Sequence, residues 1–376
     1  MMASRLHILL VEPFFTGSHR AWAEGYRKHS RHNVQILSLP GYHWKWRMHG
    51  GAVTLAGKAL QTNRPDVALA TDMLDLALFK ALTYPAWGKV PMAVYFHENQ
   101  LTYPWSPADK DVALQRDNHY AFINYTAALA ADRVFFNSRY HHDSFLEELP
   151  RFLNQFPDHQ NIETIQAIRA KSAVLPLGLD LKTFDPFILP PEQKGKLRER
   201  AVILWNHRWE YDKNPEAFFN ALMEIAERGI DFRLIVLGEQ KERRPAVFDV
   251  AREKLADKIL HFGYVESREE YARWVCRADI LPVTSYQDFF GSSVVEAMYC
   301  NVVPFLPRRL AYPEHIPETL HRTFFYDEED FVNKLQRRIW DVKYLRIMNT
   351  QPYAARYDWS NMASHYDRAL EELCAK

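Results

Sequence analysis

The densest group of chemically useful residues in the sequence is Asp288–Ser293, which comes just after a short apolar run and opens a helical stretch. Gly291 lets the backbone approach a ligand closely. Backbone N–H groups of Ser292 and Ser293 at a helix start would face an anion such as a diphosphate. Glu296, one turn into the helix, can accept hydrogen bonds from ribose hydroxyls. Taken alone, an ordinary capped strand-to-helix turn explains the pattern equally well.

A second group of charged residues lies in the loop that follows the apolar run Val202–Trp205. Arg208 and Lys213 fall in this loop, and ligands of open α/β sheets bind beyond the carboxyl ends of parallel strands. Two cations at that place would neutralise a leaving diphosphate. The simpler alternative is a solvated loop in which the cations pair with Glu210 or Asp212.

Four polar residues in a row follow the apolar run Met92–Phe96, namely His97, Glu98, Asn99 and Gln100. Such residues cover a core poorly but suit hydrogen bonding to sugar hydroxyls. An isolated histidine is more often a satisfied buried residue. Four polar residues together at a strand end favour a binding role.

A Gly-Ser loop follows the first apolar run, at Thr16, Gly17, Ser18 and His19. At the start of a helix it could meet a donor phosphate or an acceptor, although a plain capped turn explains it as well. The chain has no G-x-G-x-x-G segment at this place and no Walker A sequence, so the nicotinamide-dehydrogenase fingerprint is absent.

Aromatic residues alternate with cations at Trp44, Lys45, Trp46 and Arg47. Aromatic rings stack on nucleic-acid bases, and Lys and Arg pair with phosphates. These four residues are therefore candidates for RNA contact. An amphipathic loop whose tryptophans fill a cleft is an equally good interpretation.

The histidines are numerous but poorly spaced for a metal ion. His141 and His142 are adjacent in the chain, and there is neither an H-E-x-x-H sequence nor a dense carboxylate cluster. We predict that the chemistry needs no bound metal and no other cofactor.

Strands and helices alternate along the chain and would place these groups at strand ends. Continuous apolar runs are typical of parallel strands covered on both faces, and the alternation predicts an α/β fold with right-handed crossovers. Within Ser267–Ala278, a capping box of Ser267 and Glu270 predicts a helix with one apolar face. The predicted strands are Leu6–Val11, Val34–Leu39, Val67–Ala70, Met92–Phe96, Val134–Phe136, Ala173–Leu177, Val202–Trp205, Leu234–Leu237, Ile259–Phe262, Ile280–Val283 and Val302–Phe305.

The length of 376 residues suits two domains. Prolines at 186, 190 and 191 and the charged run 194–200 indicate a boundary between them. We predict an N-terminal domain at residues 1–185, a second domain at 186–355, and a C-terminal segment at 356–376 whose helix packs back on the first domain.

Composition restricts the partners and the compartment. Lys plus Arg and Asp plus Glu both number 47, so a nucleic-acid partner must be held by local basic patches. Three cysteines without a C-x-x-C pair favour a reducing compartment.

The first apolar run is interrupted by Glu12 and Pro13, so we expect a buried strand rather than a signal peptide. No run is long enough to cross a bilayer, and we expect a cytoplasmic protein without integral membrane segments.

Several of these segments, in this order, resemble retaining glycosyltransferases of family 4. That family has the GT-B fold, in which two Rossmann-like domains with parallel sheets face a central cleft. Asp288 stands where the family's E-x7-E element has its first glutamate, and Asn301 stands where the family has a glycine. The matching segments are 174–180 with 184–186, 203–213, 234–239 and 288–296.

A longer set of strings resembles the tRNA-queuosine mannosyltransferase family over nearly the whole chain. The most specific strings are Phe96–Gln100 and His207–Glu210 followed by Asp212 and Lys213. The others are Gly17–His19, Leu39–Pro40, Trp44–Arg47, Phe136–Ser138, Phe156–His159 and Asp288–Gly291.

The resemblance implies transfer of mannose from GDP-mannose to a hydroxyl of the cyclopentene ring of queuosine in tRNA, with retention of configuration. The leaving phosphate would take the acceptor proton, so no protein nucleophile is implied. The implied catalytic set is His97 and Asp288 at the mannose, with Arg208 and Lys213 at the diphosphate. The implied further donor contacts are Gly17, Ser18, Gly238, Glu239, Tyr264, Phe290, Gly291, Ser292, Ser293 and, at the ribose, Glu296. The implied acceptor contacts are His19, Trp44, Lys45, Trp46, Arg47, Glu98, Asn99 and Gln100.

Two other readings stay open from the sequence. The chain could be a family 4 enzyme with another nucleotide-sugar donor, or with a lipid or glycan acceptor. It could also be a non-catalytic RNA- or nucleotide-binding protein, although Arg208, Lys213 and Glu296 are all present.

Overall fold

Each of the two units of the chain is built on its own parallel sheet. The computed structural model describes residues 5–106, 109–113, 118–194, 200–239 and 244–375. The first unit holds the described residues up to Leu179 together with those from Trp359 onward, and the second holds Asp180–Asp358. None of the described helices combines the length and the apolar character that crossing a membrane requires.

The sheet of the first unit is formed by β1 (His7–Phe15), β2 (Asn33–Pro40), β3 (Val67–Thr71), β4 (Met92–Phe96), β5 (Arg133–Phe136) and β6 (Ser172–Val174). Its strand order is β2-β1-β3-β4-β5-β6, and every neighbouring pair is parallel. Strands β3 and β4 are buried along their whole length, because helices cover both faces of a parallel sheet. The helices are α1 (Gly17–His29), α2 (Trp44–Ala59), α3 (Leu76–Trp87), α4 (Lys110–Ala113), α5 (Asn118–Ala130), α6 (Arg139–Leu153), α7 (Thr164–Ala170) and, at the end of the chain, α18 (Trp359–Cys374).

The second unit repeats this architecture with β7 (Ala201–Trp205), β8 (Phe232–Leu237), β9 (Ile259–Gly263), β10 (Ile280–Pro282), β11 (Val303–Pro307) and β12 (Phe325–Tyr326). The parallel order is β12-β11-β10-β7-β8-β9, which is the dinucleotide-binding order of a Rossmann fold. The helices are α8 (Pro191–Lys194), α9 (Pro215–Glu227), α10 (Val247–Lys254), α11 (Arg268–Cys276), α12 (Ser292–Tyr299), α13 (Tyr312–His315), α14 (His321–Phe324), α15 (Phe331–Trp340), α16 (Val342–Leu345) and α17 (Gln351–Ala355).

Reversals of strand order decide where ligands can bind in each unit. In the first unit β1 lies between β2 and β3, and in the second β7 lies between β8 and β10. Ligands of open α/β sheets bind at such a reversal, outside the carboxyl ends of the strands. The segments that leave β1 and β3, and those that leave β7 and β10, are therefore the places to look for a site.

The predicted α/β class of the GT-B kind is confirmed, with differences in detail. Strand β4 has the predicted bounds, but β6 is shorter than the predicted Ala173–Leu177 because Pro176 lacks a ladder donor. Strand β12 was not predicted, since two residues give no detectable apolar run. The interpretation of Trp44–Arg47 as an amphipathic loop is wrong, because these residues form the first turn of α2. Part of the charged run at the predicted boundary, residues 195–199, lies outside the described residues.

Helix α18 packs against α1, and the buried indole of Trp359 lies at the contact. Trp359 is 1% exposed, and a Cβ added at Gly25 would lie 2.0 Å from its Nε1 atom. Tyr26 donates a hydrogen bond of 2.9 Å to Asp367, and Trp22 donates one of 3.0 Å to Tyr366. The glycine in α1 therefore sets the approach distance of the last helix.

We predict that Gly25→Ala lowers the free energy of unfolding of the first unit by about 1–3 kcal/mol, because the added methyl group has no room beside Trp359. The matched control is Gly57→Ala in α2, where a Cβ meets nothing within 4 Å. There the substitution should raise stability by about 0.5–1 kcal/mol. Urea unfolding followed by tryptophan fluorescence measures both changes. Equal effects of the two substitutions would contradict the packing account.

Candidate functional site

A buried ammonium lies where β7 and β10 end in the second unit. Lys213 closes a short 3-10 turn, Tyr211–Lys213, and its Nζ donates a 2.6 Å hydrogen bond to the carbonyl of Gln287. The same Nζ lies 3.3 Å from Asp212 and 3.5 Å from Asp288. Only the carbonyl contact has ordinary hydrogen-bond length. The ammonium therefore keeps capacity for a further oxygen ligand.

A hydroxyl from α13 also holds the carboxylate of Asp288. The hydroxyl of Tyr312 donates a 3.0 Å hydrogen bond to its Oδ2 atom. Burial opposes ionisation, but the charge of Lys213, the Tyr312 hydroxyl and the charge of Arg208 outweigh it, so the pKa of Asp288 lies below its ordinary value. The side chain is a charged acceptor, suited to sugar hydroxyls.

Gly291 gives the loop after Asp288 its shape. Its φ is +85°, in the left-handed region that favours glycine, and an added Cβ would lie 3.0 Å from the Tyr312 ring. The loop is held by His315, whose Nε2 donates to the carbonyl of Phe290 at 2.5 Å. Helix α12 starts directly after Gly291, and first-turn N–H groups have no partner within their helix. This is the arrangement that an anion needs.

Arg208 is the accessible cation of this cluster. Its side chain is 45% exposed, and Nη1 lies 3.3 Å from Glu210 while Nη2 lies 4.0 Å from Asp212. These distances are long for charge-assisted hydrogen bonds. Arg208 therefore lies near both carboxylates that the sequence offered as its alternative partners, with part of its side chain accessible to solvent.

Glu296 already accepts two hydrogen bonds inside the protein. Its oxygens take one from Arg268 at 2.7 Å and one from Tyr271 at 2.8 Å. An ionised carboxylate has about four acceptor positions, so ribose hydroxyls would use those that remain. The ribose role of Glu296 stays a prediction.

The loops after β8 and β9 carry three residues predicted as donor contacts. Gly238 has φ +125°, and a Cβ there would lie 2.1 Å from the carbonyl oxygen of His207. Glu239 is exposed, and Tyr264 is 59% exposed. Gly238 thus belongs to the packing of the β7 loop, while the other two side chains are open to solvent.

The first unit has its own polar cluster after β1. Glu12, buried at the end of an apolar strand, accepts a 2.9 Å contact from Nδ1 of His19 and a 2.8 Å hydrogen bond from the Phe14 N–H. Burial alone would lower the pKa of His19, but Glu12, with Asp72 and Glu98 further away, raises it to about 9. His19 is therefore an imidazolium at neutral pH.

His97 lies next to that imidazolium but is neutral. The two ring centroids are 4.4 Å apart, and burial followed by the charge of His19 holds the pKa of His97 well below its usual range. Its backbone N–H donates to Asp72 at 2.8 Å. Burial raises the pKa of Asp72 well above its usual range, and Glu98 adds to this although His19 opposes it. Nε2 of His97 has no hydrogen-bond partner among the described residues.

Glu12, His19 and His97 each offer one ligand atom within 4.8 Å of the others, so they could hold a metal ion. Such an ion would have to displace the proton that the raised pKa of His19 keeps on its ring. The prediction that the chemistry needs no metal or cofactor stays a prediction.

Several residues of the polar run after β4 form hydrogen bonds within their own loop. Asn99 is fully buried, and its Oδ1 accepts hydrogen bonds from the N–H groups of Leu101 and Thr102, at 3.0 and 2.8 Å. Gln100 donates to Glu98 at 3.0 Å. Oδ1 of Asn99 thus forms a turn, whereas its buried Nδ2 has no hydrogen-bond partner among the described residues. The binding role of this polar run stays a prediction.

The aromatic and basic segment at the start of α2 has an inner part that packs within the unit and an outer part that is exposed. Lys45 lies over Trp44, Trp105 and Tyr120 and is 2.7 Å from Asp109. Its charge is thus matched inside the unit. Trp46 is 64% exposed, and its neighbours Tyr42 (66% exposed) and Arg47 flank it. Only this outer part offers a surface for stacking.

Gly17 and Ser18 lie exposed at the start of α1, with Thr16 before them as the N-cap. Gly17 has φ +49°, and a Cβ there would meet nothing within 4 Å. Approach by a ligand is therefore sterically open at this turn. Their donor role stays a prediction.

Four positioning residues escaped the sequence analysis. Tyr312 and His315 lie more than twenty residues beyond the loop they hold, and nothing in the sequence links them to it. Asp72 follows β3 without any motif. Glu12 gave a usable signal, because a carboxylate within a buried apolar strand needs a partner.

Two family models cover most of the chain. Residues 7–179 match the N-terminal part of tRNA-queuosine alpha-mannosyltransferase, and residues 190–350 match the glycosyl transferases of group 1. The tRNA-queuosine alpha-mannosyltransferase of Drosophila melanogaster is 35% identical over 86% of this chain and 85% of its own. A GDP-mannose-dependent alpha-(1-6)-phosphatidylinositol dimannoside mannosyltransferase of Mycobacterium tuberculosis is 27% identical over 41% of this chain and 40% of its own.

Solved structures share the fold at low sequence identity. Sucrose-phosphate synthase from Thermosynechococcus elongatus has a TM-score of 0.71 and 15% identity, covering 99% of this chain and 100% of that one. A glycosyltransferase from Rickettsia africae has a TM-score of 0.67 and 16% identity, covering 99% of each chain. At these identities the likeness concerns the fold alone.

The charge of His19 should make stability depend on pH. A histidine whose pKa is raised on folding contributes stability below its unfolded value, near 6.5, and that contribution is lost as the pH rises through about 9. We predict that the stability difference between the wild type and Glu12→Gln shrinks between pH 7 and pH 10.

Urea unfolding at several pH values measures this difference. The control is Glu24→Gln in α1, an exposed partner of Arg20, whose stability difference from the wild type should stay constant over the same range. A gap for Glu12→Gln that is unchanged up to pH 10 would contradict the assigned charge.

Proposed function

The chain belongs to the tRNA-queuosine alpha-mannosyltransferase family and is a glycosyltransferase, and we propose that it transfers mannose from GDP-mannose to a hydroxyl of queuosine in tRNA with retention of configuration. The observation that carries the proposal is the cluster of Arg208, Lys213 and Asp288 where β7 and β10 end. The donor base is proposed in analogy with the mycobacterial relative, whose name specifies GDP-mannose.

The donor diphosphate is assigned to the second unit. Arg208 offers an accessible guanidinium, Lys213 an ammonium with a single short hydrogen bond, and the first turn of α12 its N–H groups at Ser292 and Ser293. Charge-assisted hydrogen bonds to phosphate are about twice as strong as neutral ones. Because these groups are fixed before the ligand arrives, they stabilise developing charge without reorganisation.

The proposed step exchanges two bonds at one carbon of mannose. The bond from the anomeric carbon to the β-phosphate oxygen breaks, and a bond to the acceptor hydroxyl oxygen forms on the same face. The acceptor proton passes to the released phosphate, which leaves as GDP. Arg208 and Lys213 offset the charge that grows on the diphosphate, and the reaction needs no nucleophilic side chain.

Each unit offers one group suited to sugar hydroxyls, ionised Asp288 in the second unit and neutral His97 in the first. A low pKa at Asp288 keeps it an acceptor for sugar hydroxyls. A low pKa at His97 keeps its ring uncharged, and its Nε2 can serve one sugar oxygen. Such polar groups give sugar specificity because an unmatched hydroxyl leaves them unpaired.

The acceptor tRNA is assigned to the outer part of the α2 segment, Tyr42, Trp46 and Arg47. Exposed aromatic rings stack on bases whatever their identity, and the net charge of zero requires such local contacts.

A cytoplasmic location is part of the proposal. It agrees with a tRNA substrate and with the free thiols of Cys276, Cys300 and Cys374.

Arg208→Ala should reduce kcat for mannose transfer on the order of a hundredfold to a thousandfold, because a fixed charge at the leaving diphosphate is lost. Radioactive transfer from GDP-mannose to queuosine tRNA measures this effect. Arg228→Ala, at an exposed arginine paired with Glu224, is the control and should leave transfer unchanged. Full activity of Arg208→Ala would rule out the proposed diphosphate site.

Trp46→Ala should raise KM for tRNA about tenfold, corresponding to one lost stacking contact, while kcat at saturating tRNA stays near the wild-type value. Trp340→Ala removes an equally exposed tryptophan, 59% against 64%, and should not change KM. A KM for tRNA that both substitutions leave unchanged would remove α2 from the acceptor surface.

A further inference from the structure

We propose that His207 is a neutral hydrogen-bond donor to the diphosphate of the nucleotide sugar, with its Nε2–H as the donor while its Nδ1 accepts from the Ser293 hydroxyl. The inference rests on the proposed function, which supplies the diphosphate. It gives a binding role to a residue that lies in a family-specific string but had no role assigned from the sequence.

The geometry leaves one nitrogen of His207 for a ligand. The side chain is buried, and its Nδ1 lies 2.9 Å from the hydroxyl of Ser293. Its ring stands edge-on to Trp205 with centroids 5.2 Å apart. Nε2 has no hydrogen-bond partner among the described residues. A buried N–H without an acceptor is costly, so an oxygen supplied by the substrate would complete the site.

The surroundings keep the ring uncharged. Burial, together with Lys213 and to a smaller degree Arg208, lowers the pKa of His207 to about 3, although Asp288 opposes this. One nitrogen therefore carries a proton and the other does not. When the Ser293 hydroxyl donates to Nδ1, the proton is on Nε2.

The same neighbours point to an anionic oxygen as the partner of Nε2. Arg208 and Lys213, the two cations that affect the ring, are those assigned to the diphosphate, and Ser293 lies in the first turn of α12. Phosphate groups bind at the N-termini of helices. A neutral donor adds a hydrogen bond there without adding repulsion to the two cations.

The test combines nitrogen NMR of the wild-type protein with calorimetry of GDP binding. In protein labelled at the 16 histidines, the His207 signals should report the Nε2–H tautomer, and its proton should move downfield when GDP is added. They are assigned as the signals absent from His207→Phe or, should that variant not fold, as those displaced in Ser293→Ala. The shift with GDP alone separates a phosphate contact from a sugar contact.

Calorimetry gives the energetic side of the same question. His207→Phe should weaken binding of GDP and of GDP-mannose to the same extent, on the order of tenfold to a hundredfold. The control His321→Phe, at a partly buried histidine in α14 that contacts the Ile316 carbonyl, should bind both ligands as the wild type does.

The outcomes separate this inference from the proposed function. If the wild type binds GDP while the His207 signals stay still, or while His207→Phe binds it normally, the inference alone is overturned. Weakened binding of GDP-mannose with normal binding of GDP would move the contact to the sugar and overturn the phosphate assignment. If the wild type binds no GDP, the proposed donor fails and the inference falls with it.

Discussion

The buried ammonium of Lys213 is the constraint on which the second unit's site depends. A charge removed from water must be met by carbonyl or carboxylate oxygens, and here they come from two loops, through Gln287, Asp212 and Asp288. The loops are also joined by Thr284, whose hydroxyl donates to the Lys213 carbonyl at 3.0 Å. The cation thus fixes the ends of β7 and β10 together. Arg208 and the start of α12 are positioned as a consequence.

The first unit solves a related problem with a histidine in place of a lysine. Glu12 is buried in a strand that would otherwise be apolar, and it is stable there because His19 carries the opposite charge. That charge in turn keeps His97 neutral. Each unit therefore has a buried cation beside a carboxylate near the reversal of its strand order, where α/β proteins bind ligands.

Much of the fold follows from local sequence, because a continuous apolar run such as Met92–Phe96 can only be buried on both faces. At Leu175–Leu177 the apolar run continues, but strand β6 ends at Val174 because Pro176 has no N–H to donate to the sheet. The loops that hold Arg208, Lys213 and Asp288 were predictable as well, since ligands of open α/β sheets bind beyond the carboxyl ends of parallel strands. The Lys45 environment was not, because Asp109 and Asp111 approach it from more than sixty residues away. For the same reason, the sequence did not predict that Tyr312 and His315 hold the Asp288 loop in place.

The activity proposed for this chain is the transfer of mannose onto queuosine. It is tested most directly by incubating the wild-type protein with GDP-mannose and tRNA that carries queuosine, followed by mass spectrometry of the released nucleosides. The account predicts that queuosine gains one hexose, that tRNA lacking queuosine gains none, and that UDP-glucose does not replace GDP-mannose. Absence of a hexose on queuosine, or its addition from UDP-glucose instead, would contradict the account.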